Sequence, residues 1–347
     1  MKKKLIAIAV VTALVPTVAM AESIPYGRIH ASLDSVSGIA AETNNLSLNT
    51  NSSRFGIKGS EELDGGLKAI YQIEASVSAN GIGGGGSVFN GTRDTFVGLA
   101  GGFGTLITGR LPAANQYVYD SNLFADQLGD AANFTAGALL GKGRASGALH
   151  YVSPNFSGMT AALTFLPGKS VTDLVGGVGK NSTGVKLSYA AVGVKASLTT
   201  FSVATVAATV ETKVAPMSLA GSYDFGKGMA SAQYVKSKTT VGGVDTDTTS
   251  VINVGAKFNV SEKDAVKAQM SKAGVSASGA ANGATMLAVG FDHGFSKNTG
   301  VYVVFAKVSN DTSGTYSMNN WGHQVQTAAV AIGDNPKGLG VGLTHNF

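Results

Sequence analysis

The sequence has no cysteine among its 347 residues. A disulfide framework, a thiolate metal site and a lipid-modified cysteine anchor are therefore all excluded. Charged residues are also scarce, at 14% of the chain, and there are only seven prolines. A chain so poor in charge and proline does not have the composition of a disordered protein. If the protein is exported, its stability has to come from a source other than disulfide bonds.

The chain also lacks, beyond residue 20, an apolar run that is long enough to cross a bilayer as a helix. The one early run, Leu5 to Met20, contains Pro16 and follows three lysines at positions 2–4. It ends in Ala19-Met20-Ala21, which has the small-residue spacing of a cleavage site. These features favour a secretory signal peptide at residues 1–21 over a transmembrane helix. Its removal leaves 326 residues and lowers the formal net charge from +5 to +2, so the basic balance does not point to nucleic acid.

Regular alternation of polar and apolar residues is abundant in the rest of the chain. Val251 to Val260 places apolar side chains on one face and Asn, Gly and Lys on the other, with the period of two that a strand requires. Leu67 to Val77 alternates for eleven residues, a length suited to a strand tilted across a bilayer. Since only helices and closed barrels satisfy every backbone group inside a membrane, these strands predict an all-β fold, a transmembrane antiparallel β-barrel. At roughly 20 residues per strand and connection, the mature chain would form about 16 strands.

The connections between the predicted strands alternate between short and long, as expected for short periplasmic turns and long external loops. The short connections are predicted at 191–193, 225–228, 260–264 and 294–298. The long ones, rich in Ser, Thr, Gly and Asn, are predicted near 167–182, 204–213, 239–249, 274–283 and 309–336. The alternation within strands leaves one question open. A soluble barrel buries its apolar face inside, whereas a membrane barrel turns that face toward lipid.

Eight short stretches, spread in order over nearly the whole mature chain, are distinctive as a set. In the first third these are Asn51–Leu63, Gly66–Glu74, Phe96–Leu99, Gly102–Gly104 and Gly109-Arg110. Further along they are Tyr151–Gly158, Ala288–Thr299 and Val341–Phe347. Together these stretches resemble the signature of the Gram-negative general porins, most closely the beta-proteobacterial type. The resemblance implies a single porin β-barrel domain at residues 22–347 in the outer membrane, forming a water-filled channel for ions and small hydrophilic solutes.

The resemblance also implies partners and an assembly signal, and it implies no cofactor and no metal. Porins of this family are homotrimers that lie in outer-membrane lipid and lipopolysaccharide. A carboxy-terminal phenylalanine on the last strand resembles the signal that the outer-membrane assembly machinery recognises, and here that residue is Phe347. His345, two residues before it, departs from the tyrosine that is more usual there.

The segment from Leu111 to Gly143 interrupts the strand pattern and is too long for an ordinary hairpin connection. Its apolar residues, among them Leu123, Phe124 and Phe134, would be exposed to water if the segment were a flexible surface loop. We therefore expect the segment to fold inward. The resemblance identifies residues 111–143 as the constriction loop that bends into the barrel and narrows the pore.

Basic residues on several strands are predicted to face this constriction. Strand parity places Arg54 and Lys58 on the inner face of one strand. It also places Arg93 on the inner face and Phe96 on the lipid-facing side, because residues three apart on a strand point to opposite faces. By resemblance, Arg54, Arg93 and Arg144 match the arginine cluster of anion-selective family members. Each arginine taken singly is equally compatible with a solvated face or an ordinary ion pair. The basic residues predicted at the constriction are Arg54, Arg93, Arg144, Lys58 and Arg110.

Acidic residues are predicted on both sides of the same constriction. By resemblance, Glu74 matches an acidic residue near the arginine cluster, and Asp120 matches an aspartate of the inward loop. Asp126, with Asp130 close to it in sequence, either lines the loop side of the pore or points to external water. Fixed charge in a narrow, low-dielectric passage selects ions, so the set predicts a passive channel that prefers anions.

Two other classes of function remain open. A barrel enzyme such as a lipase or protease would need a positioned nucleophile and base, and no Ser, His and Asp arrangement stands out. The five histidines show no metal-ligand spacing. A structural or adhesive barrel with a plugged lumen would conduct no ions. Asp245 and Asp247 form either a cation site or part of a hydrated loop.

Overall fold

The computed structural model describes residues 22–41, 46–80, 88–112, 121–138, 144–175, 178–276, 281–318, 323 and 327–347. The predicted signal peptide at residues 1–21 and the predicted loop aspartate Asp120 lie outside these ranges. Two short α-helices are present in the described part, α1 (Ala132–Ala138) and α2 (Gly168–Val175). A 3₁₀ turn spans Asp64–Gly66. No helix among the described residues is long and apolar enough to cross a bilayer.

Strands make up most of the described chain. The first nine segments are β1 (Glu22–Ser37), β2 (Leu46–Thr50), β3 (Arg54–Glu62), β4 (Lys68–Val77), β5 (Phe89–Thr92), β6 (Thr95–Gly101), β7 (Gly104–Pro112), β8 (Arg144–Val152) and β9 (Met159–Leu166). The next five are β10 (Val178–Gly179), β11 (Ser182–Ala191), β12 (Val194–Ala207), β13 (Val210–Asp224) and β14 (Gly228–Val241). The last five are β15 (Val244–Asn259), β16 (Asp264–Ala273), β17 (Ala284–Gly294), β18 (Thr299–Asn310) and β19 (Lys337–Asn346).

The strands close into one antiparallel barrel. The first segment, β1, pairs with the last, β19, so that Ile29 lies opposite His345 and the sheet has no free edge. Three strands are each interrupted once, because β2 and β3 both pair with β1, β5 and β6 with β4, and β10 and β11 with β12. The 19 segments therefore make 16 strands, and the predicted 16-stranded barrel is confirmed.

The apolar face of the strands points outward. On β15, Ile252 is 48% exposed whereas its neighbour Asn253 is fully buried. On β1, Leu33 is 48% exposed, and the inward residues Ser32 and Asp34 are 2% and 0% exposed. This arrangement is that of a membrane barrel and the inverse of a soluble one. The predicted orientation of the two faces is confirmed.

The short turns lie where they were predicted, but two of the predicted long loops are wrong. Residues 204–213 and 239–249 are largely strand, since β12 joins β13 and β14 joins β15 through two-residue turns. The second turn, Gly242-Gly243, has φ of 58° and 84°, which is the left-handed backbone that a tight hairpin requires. The many threonines in these stretches favour strand rather than loop. The β12–β13 and β14–β15 hairpins therefore extend past the outward-facing apolar residues of these strands.

A hydrophobic cluster lies inside the barrel, against the inner face of β14 to β18. The wall contributes Val235, Val251, Met286, Val304 and Val308, each at most 2% exposed. The segment 121–138 lies on this wall and adds Phe124, Leu128 and Phe134 to the same cluster. Part of the barrel interior is thus an apolar core, whereas strict alternation predicts only polar side chains there.

Candidate channel constriction

The charged part of the inner surface is built by β1, β3 and β4. In the strand register, Arg28 lies directly opposite Arg54, and Gly56 lies directly opposite Glu74. Cross-strand partners share a face of the sheet, so Arg28, Arg54 and Glu74 project to the same side. Lys58 lies two residues after Gly56 on that face, and its ammonium is 5.2 Å from the centre of the Tyr26 ring. The structure therefore brings Arg54, Lys58 and Glu74 onto one inner wall.

Glu74 is the centre of this wall and is 6% exposed. One carboxylate oxygen lies 2.5 Å from Nε of Arg93, and the other lies 3.9 Å from Nε of Arg54. The Tyr26 hydroxyl donates to the second oxygen at 2.9 Å. A single carboxylate is thus shared by two guanidinium groups and one phenol.

Arg93 reaches Glu74 because the strand is interrupted at Arg93 and Asp94, between β5 and β6. The predicted lipid-facing position of Phe96 is wrong for the same reason. Phe96 lies opposite Gln72, which shares the inner face with Glu74, and it packs against a buried cluster that includes Leu111. Arg93 and Asp94 lie outside the paired strands, which breaks the regular alternation of side chains. Arg93 and Phe96 therefore face the same side although they are three residues apart.

Arg144 and Arg110 lie on the neighbouring strands β8 and β7. Nε of Arg144 forms an ion pair with Asp94, the residue after Arg93. Arg110 donates to the backbone oxygen of Thr92 at 3.1 Å and to Oγ of Ser146 at 2.9 Å. Ala145, which strict alternation predicts to face outward, is buried with Leu111, since the register shifts between Gly109 and Leu111. Strand parity is therefore not a guide to the facing of residues 144–147.

The inserted segment, residues 121–138, lies inside the barrel and is hydrogen-bonded to the inner face of β14 and β16. The Leu123 amide donates to Oε1 of Gln269 at 2.9 Å, and Nε2 of Gln269 donates to the Gly129 oxygen at 3.0 Å. Oγ of Ser231 donates to the Ser121 oxygen at 2.9 Å. Gln269 and Ser231 both project from the inner face of the barrel and are 3% and 7% exposed. The predicted inward fold of the loop is confirmed for these residues.

Glycines on the wall allow the inserted segment to come this close. A Cβ placed on Gly290 would lie 2.8 Å from the Phe124 ring, and one placed on Gly340 would lie 3.2 Å from Leu128. Real Cβ atoms almost never make contacts under 3 Å, and a contact of 3.2 Å would require Leu128 to move, so glycine at these two positions lets the segment pack closely. The apolar side chains of the segment occupy the freed space.

The two aspartates of the segment differ in their surroundings. Asp126 receives Nη1 of Arg28 at 3.0 Å, which joins the segment to the charged wall. Asp130 is fully buried and accepts hydrogen bonds from Nδ2 of Asn122 and from the amides of Asp126 and Ala132, all at 2.6 to 2.7 Å. Burial raises the pKa of Asp130 to about 7, and the nearby Asp126 carboxylate acts in the same direction. Asp130 holds the segment together and does not face water.

Three residues of the constriction were missed by sequence reasoning. Arg28 connects the wall to the inserted segment, Asp94 pairs with Arg144, and Tyr26 donates to Glu74. Arg28 could have been found from the sequence, since it lies at even spacing from His30, Ser32 and Asp34 on the polar face of the first strand. Asp94 could not, because its position depends on the strand break.

The chain end is tied into the barrel at Gly27. The Gly27 amide donates to the Phe347 oxygen at 2.9 Å, and the Phe347 amide donates back to the Gly27 oxygen at 3.1 Å. The Phe347 side chain is 54% exposed and lies on the outward face with Leu343 and Val341. Its predicted role as an assembly signal stays a prediction.

Asp245 and Asp247, for which the sequence left a cation site and a hydrated loop as alternatives, fall in strand β15. Asp245 lies 2.6 Å from the ammonium of Lys238 across the hairpin and also receives the Thr240 hydroxyl at 3.2 Å. Among the described residues no group of three His, Asp or Glu side chains is placed to hold a metal ion.

Comparisons with known proteins agree with this architecture. A family model for Gram-negative porins matches residues 7–313. The chain is 30% identical to outer membrane porin protein 32 of Delftia acidovorans over the full length of both chains. It is 40% identical to the major outer membrane protein P.IA of Neisseria meningitidis serogroup C over 122 residues, which is 33% of this chain and 28% of that one.

Solved structures give the same result. An anion-selective porin from Comamonas acidovorans matches with a TM-score of 0.82 and 25% identity, over 94% of this chain and 100% of that one. OmpT of Vibrio cholerae matches with a TM-score of 0.70 at 13% identity, over 94% of this chain and 98% of that one, which shows the fold alone. The chain therefore belongs to the Gram-negative porin family and is a channel protein of the outer membrane.

Proposed function

We propose that this porin prefers anions and that the charged wall at Arg54, Arg93 and Arg144 sets the preference. The observation that carries the proposal is that Arg54 and Arg93 share one carboxylate, Glu74. Two guanidinium groups against one carboxylate give this part of the wall a net positive charge. Arg54 keeps 31% of its side chain exposed, so a passing anion can reach it.

The other charges near the wall keep the balance positive. Arg28 is matched by Asp126 and Arg144 by Asp94, so each of these pairs is neutral. Lys58 and Arg110 form no ion pair with any residue in the described part of the chain, and they add two cations. Asp130 is buried inside the inserted segment and does not offset them.

A positive wall of this kind selects ions because the passage is narrow and bounded by protein of low dielectric constant. The field of fixed charges is weakly screened there, so anions are concentrated and cations are repelled. The likeness to the anion-selective porin from Comamonas acidovorans supports the same preference.

The test is the reversal potential of single channels in a salt gradient. Replacing Arg54, Arg93 and Arg144 together by Gln should shift the reversal potential toward cation preference. The matched control replaces three outward-facing lysines, Lys213, Lys236 and Lys307, by Gln, which changes the net charge equally outside the pore. A reversal potential that is unchanged in the arginine variant, or shifted equally in both, would count against the assignment.

The same proposal covers the export, assembly and activity of the chain. We propose that residues 1–21 are a cleaved signal peptide, that residues 111–143 as a whole form the constriction loop, and that Phe347 is the assembly signal. A homotrimer is supported by the related OmpT, which is described in a trimer form. We also propose a channel without enzymatic activity, which hydrolysis of lipid or peptide substrates by the purified protein would disprove.

A further inference from the structure

Tyr26 spans three strands of the charged wall. In the strand register, Tyr26 on β1 lies opposite Gly56 on β3, and Gly56 lies opposite Glu74 on β4. A Cβ placed on Gly56 would lie 2.7 Å from both Cζ and Oη of Tyr26, so a larger residue at this position would displace the ring. The ring therefore lies over Gly56, and its hydroxyl reaches Glu74 on the second strand along.

The two carboxylate oxygens of Glu74 have different partners. Oε1 lies 2.5 Å from Nε of Arg93, and Oε2 accepts the Tyr26 hydroxyl at 2.9 Å. Nε of Arg54 is 3.9 Å from Oε2, which is too long for a hydrogen bond. Within the described residues, the Tyr26 hydroxyl is thus the only hydrogen-bond donor to Oε2.

This arrangement satisfies Oε2 without using a cation. The Glu74 side chain is 7% exposed, so an oxygen without a donor would carry a desolvation cost that water does not relieve. A phenol meets the need with a neutral group, whereas a guanidinium in the same place would lose its own charge to the pair. Arg54, with 31% of its side chain exposed, is left to face the passage.

The ring of Tyr26 also holds a second cation of the wall. The ammonium of Lys58 lies 5.2 Å from the centre of the ring, and Lys58 is exposed. The face of an aromatic ring attracts a cation without neutralising it. One uncharged side chain therefore contacts both the acidic centre of the wall and one of its free cations.

We propose that Tyr26 is a positioning residue that sets how strongly the channel prefers anions. Its hydroxyl occupies Oε2 of Glu74 and leaves the Arg54 guanidinium available to passing anions. Without the hydroxyl, a movement of Arg54 by about 1 Å would give Oε2 a new donor. The wall would then lose one available cation although the charge of the protein is unchanged. The inference rests on the anion preference proposed above.

The first measurement compares crystal structures of wild type and Tyr26→Phe. The variant keeps the ring, and with it the contact with Lys58, and loses only the hydroxyl. The shortest distance between the Arg54 guanidinium and Oε2 of Glu74 should fall from 3.9 Å to about 2.9 Å. A distance that stays near 3.9 Å would overturn the inference, whichever ions the channel prefers.

The second measurement is the reversal potential in a salt gradient. In Tyr26→Phe the permeability ratio of anions to cations should fall about twofold, because Arg54 becomes paired with Glu74. A ratio equal to that of wild type would overturn the inference. Added to Arg54→Gln, the same change should have no further effect, since the guanidinium on which it acts is absent. A further fall in that background would overturn the proposed action through Arg54.

Tyr71→Phe is the matched control. A Cβ placed on Gly59 would lie 2.7 Å from Cζ of Tyr71, and the Tyr71 hydroxyl is hydrogen-bonded to Oγ of Ser23 across that glycine. Tyr71 lies at even spacing from Ile73, which is 62% exposed on the outward face. The control thus removes the same hydroxyl from the same arrangement outside the lumen, and the permeability ratio should stay at the wild-type value. An equal fall in both variants would overturn the role of Tyr26.

The arginine wall and the role of Tyr26 can fail separately. If the variant with Arg54, Arg93 and Arg144 replaced shifts the reversal potential and Tyr26→Phe does not, the wall stands and the role of Tyr26 is refuted. If the triple variant does not shift it, the wall is refuted. The distance between Arg54 and Glu74 in Tyr26→Phe then still decides whether the hydroxyl keeps the two groups apart.

Discussion

The inner surface of the barrel has two unlike halves. On β1, β3, β4 and the break after β5, the wall is charged, and Arg28, Arg54, Arg93 and Glu74 lie within one network. On β14 to β18 the wall carries an apolar cluster, with Val235, Val304 and Val308 at most 1% exposed, beside the polar side chains of Ser231 and Gln269. The segment 121–138 lies on the apolar half and touches the charged half through the ion pair between Arg28 and Asp126.

The difference shows how the barrel can hold an internal segment mainly through apolar contacts, with the Arg28–Asp126 ion pair as its link to the charged wall. Burial of apolar side chains does not compete with ions, whereas an arginine that anchors a loop is no longer available to a solute. The apolar half also receives the last long connection, since Tyr316 stacks on Phe134 at 4.6 Å and Met318 is 2% exposed in the same cluster. Anchoring is thus assigned to one half and ion recognition to the other.

The largest expected effect comes from removing the main anchor on the apolar half. Phe124 is fully buried, and the ammonium of Lys267 lies 4.5 Å from the centre of its ring. Phe124→Ala would leave a cavity and lower the free energy of unfolding by about 3–5 kcal/mol. Urea unfolding in detergent measures the loss, and the reversal potential should stay at the wild-type value.

The control for this prediction is Phe305→Ala, which removes the same side chain from the outward face of β18, where Phe305 is 43% exposed. It should cost clearly less stability, because the site is filled by detergent or lipid. If the two variants lose equal stability, the apolar half does not anchor the segment. If Phe124→Ala changes selectivity instead of stability, the separation of the two halves is wrong.

A smaller effect is expected on the charged half from Glu74→Gln. The change removes the carboxylate that Arg54 and Arg93 share and raises the net charge of the wall by one. The reversal potential should move further toward anion preference, because both guanidinium groups become available. Stability should fall by about 1–3 kcal/mol, since Arg93, with 13% of its side chain exposed, loses its ion-pair partner.

The matched control is Glu61→Gln on β3, where the exposed side chain lies on the opposite face from Lys58. It removes the same charge outside the network, so neither selectivity nor stability should change. A Glu74→Gln channel with the selectivity of wild type would mean that solutes do not pass close to this wall.

Much of the fold could be predicted from the alternation of polar and apolar residues along the strands. The rows at Leu339, Val341 and Leu343 predict an outward face, and closure into about 16 strands follows from the chain length. The parity rule failed at Arg93 and Asp94, because nothing in their residue types shows that they leave the ladder. The facing of Phe96 and the contacts of Asp94 could therefore not be predicted.

The apolar half of the interior did leave a trace in the sequence. Val301 to Ala306 is a continuous apolar run inside strand β18, which is typical of a strand covered on both faces rather than on one. Alternation alone assigned every second residue to a polar lumen and overlooked this run. The location of the charged network, in contrast, depended on the cross-strand register of Arg28 with Arg54, which pairs residues 26 positions apart and cannot be read from local spacing.

The smallest expected effect concerns the ion pair that connects the two halves. Arg28→Gln would remove the contact of 3.0 Å with Asp126, a pair whose side chains are 20% and 8% exposed. The cost in stability should be about 1 kcal/mol or less, because the apolar contacts of the segment remain. Without this ion pair the segment should move more at Asp126, which should increase brief current fluctuations in single-channel recordings. Arg28→Lys keeps the charge, so its current fluctuations should lie between those of Arg28→Gln and wild type. Since the segment is anchored by the apolar cluster, recordings as quiet as wild type would show that the apolar half alone fixes its position and that Arg28 serves the passing ions.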